Sequence, residues 1–139
     1  MREIKSSKAF YDTNVLIAFL FKEEERFPQA YGVLEEHRVK ALSIISIHEI
    51  HMYSIRYGVE SKFIEIKRML EELFNIIDLS QDACIIASRL RYSFNLPEVD
   101  SLVLASAIAS KYDVFYTFDG DFKVLNGRVI EGVKVMFLG

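Results

Sequence analysis

A chain of 139 residues with 51% hydrophobic content is sized for one domain with a buried core, and 1–139 reads as a single unit. Its 20 acidic and 17 basic residues leave a net charge of −3, which excludes a protein that grips nucleic acid by bulk positive charge. The lone cysteine, Cys84, excludes a disulfide framework and a thiolate metal centre.

In chain order, residues 1–8 are charged and lack the apolar core of a signal peptide. With a reducing compartment implied by Cys84, the expectation is a cytoplasmic protein with no membrane partner. Ala9-Phe10-Tyr11 is apolar without alternation, the habit of a strand covered on both faces, and Asp12 stands where it stops. Residues 15–21 are apolar nearly all round and run into Lys22-Glu23-Glu24-Glu25-Arg26, so a helix begins buried and ends in solvent. Pro28 opens a second helix over 28–38, and 39–45 reads as the second strand. Ser46 to Glu49 then opens a helix that runs through Met52 and Ile55 to a stop at Gly58. Phe63, Ile66, Leu70 and Leu73 make one face of an amphipathic helix over 60–73, which can pack on the core or present a docking surface.

The third strand is 74–79, after which Ser80 and Asp82 cap a helix ended by Asn95-Leu96-Pro97. Pro97 suits the first position of the next helix. Its small-residue segment, 101–110, can lie close against a sheet and is too short to span a bilayer, which needs about 20 residues. A fourth strand at 113–116, an exit loop at 117–122 and a last strand at 132–138 complete the chain. The alternation predicts an α/β fold, a three-layer α/β/α sandwich around a mostly parallel sheet of four to five strands.

In such a sheet, ligands bind outside the carboxyl ends of the strands. Asp12 and Asp119 follow strands directly, and Glu49 and Asp100 fall in first turns of helices, so all four acids face one rim. Taken singly, each can be purely structural. Asp12 can cap the helix after it, Ser46 with Glu49 has the spacing of a capping box, and Asp100 suits a helix N-terminus. Asp119-Gly120 is a common turn dipeptide, and Asp121 can be a solvated loop acid. Four independent caps have no reason to converge. Carboxylates about 4 Å apart repel by about 4 kcal/mol per pair at an effective dielectric of 20, so such a cluster calls for a cation. Oxygen ligands without cysteine select a hard ion, Mg²⁺ or Mn²⁺, which can activate water and stabilise the leaving oxygen of a phosphodiester.

Two other metal motifs fail on spacing. His48-Glu49-Ile50-His51 puts its histidines three apart where a zinc protease helix needs four, and Asp119-Gly120-Asp121 is followed by Lys123 where a calcium loop needs oxygen. No Gly-rich phosphate loop and no Ser-His-Asp arrangement is suggested.

The runs Phe10-Tyr11-Asp12-Thr13-Asn14, Ile45-Ser46-Ile47-His48-Glu49, Asp100-Ser101-Leu102-Val103-Leu104-Ala105-Ser106-Ala107 and Thr117-Phe118-Asp119-Gly120-Asp121-Phe122 occur in the order of a PIN-domain nuclease. By size the chain resembles the single-domain VapC-type toxins of toxin–antitoxin pairs. The resemblance implies a Mg²⁺- or Mn²⁺-dependent endoribonuclease with Asp12, Glu49, Asp100 and Asp119 as catalytic and metal-binding acids. It also implies supporting hydrogen bonds from Asn14 and Thr117, an RNA substrate, a small antitoxin partner and a homodimer. His48 and His51 flank Glu49 in a way the family does not require, and Asp121 competes with Asp119, which is nearer the strand end. Lys8, Arg89, Arg91, Lys123 and Arg128 are candidate phosphate contacts. The alternatives are a catalytically silent PIN scaffold that binds RNA or protein, and a phospho-acceptor receiver; the receiver fits less well because Tyr11-Asp12 is a single acid and 117–122 holds no lysine.

Overall fold

The computed structural model describes residues 3–139. Its strands are β1 (Ala9–Tyr11), β2 (Lys40–Ser43), β3 (Asn75–Ile77), β4 (Val114–Thr117), β5 (Val129–Ile130) and β6 (Val133–Phe137). They form one sheet in the order β3-β2-β1-β4-β6-β5, parallel except where β5 pairs antiparallel with β6. Among the described residues that is six strands, where four to five were expected. The extra one is the two-residue β5, joined to β6 by Glu131 and Gly132, both at positive φ (46° and 90°), as a two-residue hairpin turn requires. Glu-Gly is a weak turn signal, and two residues are too few to show alternation.

The helices are α1 (Thr13–Leu20), α2 (Phe27–Glu35), α3 (Ile44–Arg56), α4 (Phe63–Leu73), α5 (Gln81–Phe94) and α6 (Glu98–Ala109). Successive residues of a strand point to opposite faces, and the two cores divide accordingly. Phe10 joins Ala41, Phe115 and Val135 under α5 and α6, whereas Ala9 and Tyr11 join Leu42 and Tyr116 under α1 to α4. Full burial of a side chain such as Phe10 contributes about 1.5–3 kcal/mol. β1 therefore sits between two helical layers, as its unbroken apolar character requires.

α6 is buried almost all round, and its hydroxyls stay satisfied because Ser101, Ser106 and Ser110 donate back to the carbonyls of Pro97, Leu102 and Ser106 at 2.8, 2.9 and 2.6 Å. Pro97 stands at the N-cap, one position before the helix it was expected to begin. α5 begins on the Ser80 cap and ends on Asn95, which takes the left-handed conformation at φ 53°.

The largest departure from expectation lies at 44–46. β2 stops at Ser43, whose Oγ accepts the Ile45 N–H at 3.1 Å, so Ile44 and Ile45 are helical and not strand. Two β-branched residues read as strand by propensity; the cap outweighs them. Ser46 and Glu49 therefore form no capping box. Two shorter shifts share one cause, since element ends are weakly signalled: 60–73 divides into a 3₁₀ turn (Glu60–Lys62) and α4, and 120–125 forms a 3₁₀ turn where a loop was expected.

Candidate metal centre

The register of the central strands builds the rim. Tyr11 pairs with Leu42 on one side and Tyr116 on the other, so Asp12, Ser43 and Thr117 emerge at one level. The Asp12 N–H donates to the Tyr116 carbonyl at 2.9 Å, which fixes the backbone of the first acid against β4. Asp12 also caps α1, its Oδ1 accepting the Thr13 N–H at 2.8 Å. Its two readings are compatible, because capping engages one carboxylate oxygen and leaves the other to the rim.

That second oxygen, Oδ2, accepts the Thr117 hydroxyl at 2.8 Å, and Thr117 Oγ1 in turn accepts the Asp119 N–H at 2.9 Å. Thr117 thus ties the first acid to the last. Asn14 adds a second tie. Its Oδ1 accepts the Phe118 N–H at 2.9 Å, while its Nδ2 donates weakly to Asp12 Oδ2 and Thr117 Oγ1 at 3.4 and 3.5 Å.

Asp100 reaches the same point from the first turn of α6. Asp12, Asp100 and Asp119 each offer a carboxylate oxygen, and these oxygens lie within 4.8 Å of one another. Asp121 stands outside this group; its N–H donates to Asp119 Oδ1 at 2.9 Å, and its own carboxylate acts on Asp100 only as a nearby charge.

Glu49 is also outside the group, in the second turn of α3, lining the same cleft. The Thr13 hydroxyl donates to Glu49 Oε1 at 2.5 Å and lies 2.7 Å from the hydroxyl of the fully buried Ser46. Thr13 has one proton to give, so Ser46 donates to Thr13 and Thr13 to Glu49. The serine expected to cap a helix instead holds the threonine that holds the glutamate.

The electrostatics of the cluster are unfavourable as it stands. Burial pushes the Asp12 carboxyl up to about 6; hydrogen bonds from Thr117 and Thr13 oppose the shift, and the charges of Glu49 and Asp119 add to it. Asp100 is raised further, to about 8, first by burial and then by Asp119, Asp12 and Asp121. A donor set of carboxylate oxygens alone, held together against its own repulsion, fits a hard divalent cation.

The cleft in front of the acids has a volume of about 460 Å³. Its other wall is α3, which contributes His48, Met52, Tyr53 and Arg56. Among the cations singled out from the sequence, none lines it. Lys8 precedes β1 at the opposite end of the sheet, its Nζ 4.6 Å from the Tyr112 ring centre. Arg89 pairs with Glu131 at 2.8 Å and Arg128 lies over Phe94, both in a separate cleft beside β5. Arg91 and Lys123 are exposed elsewhere. Arg56 was missed, although Glu49, Tyr53 and Arg56 follow the i, i+4, i+7 spacing of one helical face. His51 turns away, pairing with Glu60 at 2.9 Å, so the two histidines share no site.

A PIN domain family model matches residues 9–127. No curated protein sequence matches significantly. Among solved structures, one chain of a toxin–antitoxin complex from Klebsiella pneumoniae is similar at 30% identity and a TM-score of 0.70, covering 89% of this chain and 98% of that one. VapC20 of Mycobacterium tuberculosis, described as a Sarcin-Ricin loop cleaving toxin, shares the fold at 18% identity and a TM-score of 0.70, covering 84% and 94%. So does a chain of VapBC2 from Rickettsia felis, solved bound to a DNA fragment from its promoter, at 16% identity and a TM-score of 0.68, covering 94% and 98%.

Proposed function

The chain belongs to the PIN-domain family, and from that premise we propose that it is a Mg²⁺- or Mn²⁺-dependent endoribonuclease, the toxin of a VapBC-type toxin–antitoxin pair. The observation that carries the proposal is the convergence of Asp12, Asp100 and Asp119 from three separate elements onto one point. The receiver alternative falls with the family assignment, and the silent scaffold gives no reason for carboxylates to be held so close.

A divalent cation at that point supplies a Lewis acid for the phosphodiester and a means of activating water. Asp12, Asp100 and Asp119 would hold it through their carboxylate oxygens. Thr117 and Asn14 keep Asp12 and Asp119 in register. Glu49, restrained by Thr13, stands beside this group, where it can accept a proton from the attacking water. Hydrolysis then places the water oxygen on phosphorus and releases a ribose oxygen, which takes up a proton from solvent.

The partner proposals rest on the family and on surface chemistry. α4 buries Leu70 but leaves Met69 and Leu73 exposed beside it, one turn apart, an apolar edge suited to an antitoxin segment. The protein acts as a cytoplasmic homodimer in this reading. Co-purification with a small neighbour-encoded protein supports the pairing; a stable monomer harmless when expressed alone counts against it.

The decisive assay is cleavage of mixed RNAs with and without Mn²⁺, run beside Asp100→Asn. Cleavage is expected only from the unsubstituted protein with metal, and undiminished cleavage by Asp100→Asn refutes the mechanism.

A further inference from the structure

Glu49 begins a line of side chains along α3 that leaves the acids and heads for solvent. Tyr53, Arg56 and Tyr57 follow it, and Tyr57, at the C-cap, lies about 12 Å along the axis from Glu49 at 1.5 Å per residue. Tyr53 and Arg56 line the acid cleft. The rings of Phe21, Tyr53 and Tyr57 form a ladder, with centroids 4.6 Å and then 4.4 Å apart and planes inclined at 42° and 37°. A ladder that served packing alone would end under cover, yet Tyr57 is 62% exposed. Beside it Arg56 is exposed too, and among the described residues it forms no ion pair with a carboxylate.

A single exposed tyrosine is ordinary on a protein surface. One ring of the ladder, Tyr53, and the unpaired guanidinium of Arg56 line one wall of a cleft whose other wall is the acid cluster, and the ladder continues from Tyr53 to Tyr57 just outside it; that combination suits single-stranded nucleic acid. We propose that Tyr57, with Arg56 beside it, is a stacking subsite for an unpaired base of single-stranded RNA, close to the phosphodiester held at the acids. The inference rests on the nuclease reading and deepens it, naming the substrate class as RNA with splayed bases, since a paired base has no face to offer. At a net charge of −3 the protein needs such a local anchor.

The test is binding of a short 5′-labelled single-stranded oligoribonucleotide, read by fluorescence anisotropy in Mg²⁺ with the Asp100→Asn protein so that the RNA survives. Introducing Tyr57→Ala is expected to weaken binding about ten-fold, and Tyr57→Phe to leave it within about two-fold, because the ring and not the hydroxyl stacks. Arg56→Ala should reduce the salt slope by about one. A blunt RNA duplex should bind about ten-fold more weakly and ignore Tyr57→Ala. Equal affinity of Tyr57→Ala and its parent, or equal losses in the Ala and Phe variants, overturns the subsite. So does a change of oligomeric state in Tyr57→Ala with RNA affinity intact, which would assign the ring to an interface between copies. RNA bound through Tyr57 but never cut by the unsubstituted protein with Mn²⁺ sinks the nuclease reading and leaves the subsite. RNA cut by Tyr57→Ala with an unchanged KM sinks the subsite alone.

Discussion

Tyr11 and Asp12 are neighbours in the chain and both buried, yet their polar atoms live in opposite circumstances. On the Tyr11 side the polar atoms are matched, and the one carboxylate nearby, Glu36, lies 3.6 Å from Lys5 Nζ and 4.0 Å from His37 Nε2. Tyr11 donates its hydroxyl proton to the Val33 carbonyl at 2.7 Å and stacks on Tyr116 at 5.6 Å. His37, almost wholly enclosed, has Nδ1 3.0 Å from the Ser7 carbonyl, to which it donates, and Nε2 2.7 Å from the Tyr116 hydroxyl. On the Asp12 side three carboxylates face one another, and the nearest donors are the Thr117 hydroxyl, the Asn14 amide and backbone N–H groups. The first group is polar chemistry arranged for stability, and the second is left unbalanced. Burial alone does not mark a functional site; uncompensated like charge does.

The sharpest way to break the contrast is to neutralise one rim acid. Asp12→Asn should cut RNA cleavage by about a hundred-fold or more, since even outer partners of a metal are worth about 10–100-fold. It should leave the fold intact, because the amide oxygen can still accept the Thr13 N–H and the amide NH₂ can donate to the Thr117 hydroxyl. Full activity in that variant would erase the distinction between the two regions.

Thr117→Val comes next, removing the donor to Asp12 and the acceptor of the Asp119 N–H together. An activity loss of about 10–100-fold is expected, largely recovered in Thr117→Ser. On the balanced side the reverse holds. His37→Ala removes the ring that holds the Tyr116 hydroxyl at 2.7 Å and should cost about 1–3 kcal/mol by urea unfolding, with cleavage per folded molecule unchanged.

The smallest effect is a slope. Asp12 and Asp100 are both raised, to about 6 and about 8, above the ordinary carboxylate value near 4. The folded, metal-free protein therefore holds these protons more tightly than the unfolded chain does. Their contribution to stability is complete below about pH 4 and is lost as pH rises through about 6 and then about 8. The Tm of metal-free protein should fall across that window, and Mn²⁺ should restore it at the upper end. A flat profile would mean that the carboxylates do not feel one another.

What could be read in the sequence follows from how local each signal is. β1 was legible because three apolar residues followed at once by an acid fit little besides a covered strand that ends at a rim, and the small-residue character of α6 announced a helix pressed on a sheet. That Asp12, Asp100 and Asp119 share one rim was legible through their places relative to those elements. Glu49 was found with the wrong local structure, because Ser43 and Ser46 offer the same capping chemistry three residues apart and only tertiary packing chooses between them. Arg56 and Tyr57 went unnoticed since nothing near them in the chain is unusual; what singles them out is spatial, Arg56 by lining the acid cleft and Tyr57 by its ring contact with Tyr53. The basic residues chosen instead stood out by charge, which carries no information about which end of the sheet a side chain reaches.

The two outermost strands of the sheet, β3 and β5, hold only three and two residues. A longer flat border would be a template for adding strands from other copies, the first step toward fibrils. Here neither margin offers a long run of unpaired backbone to seed such growth.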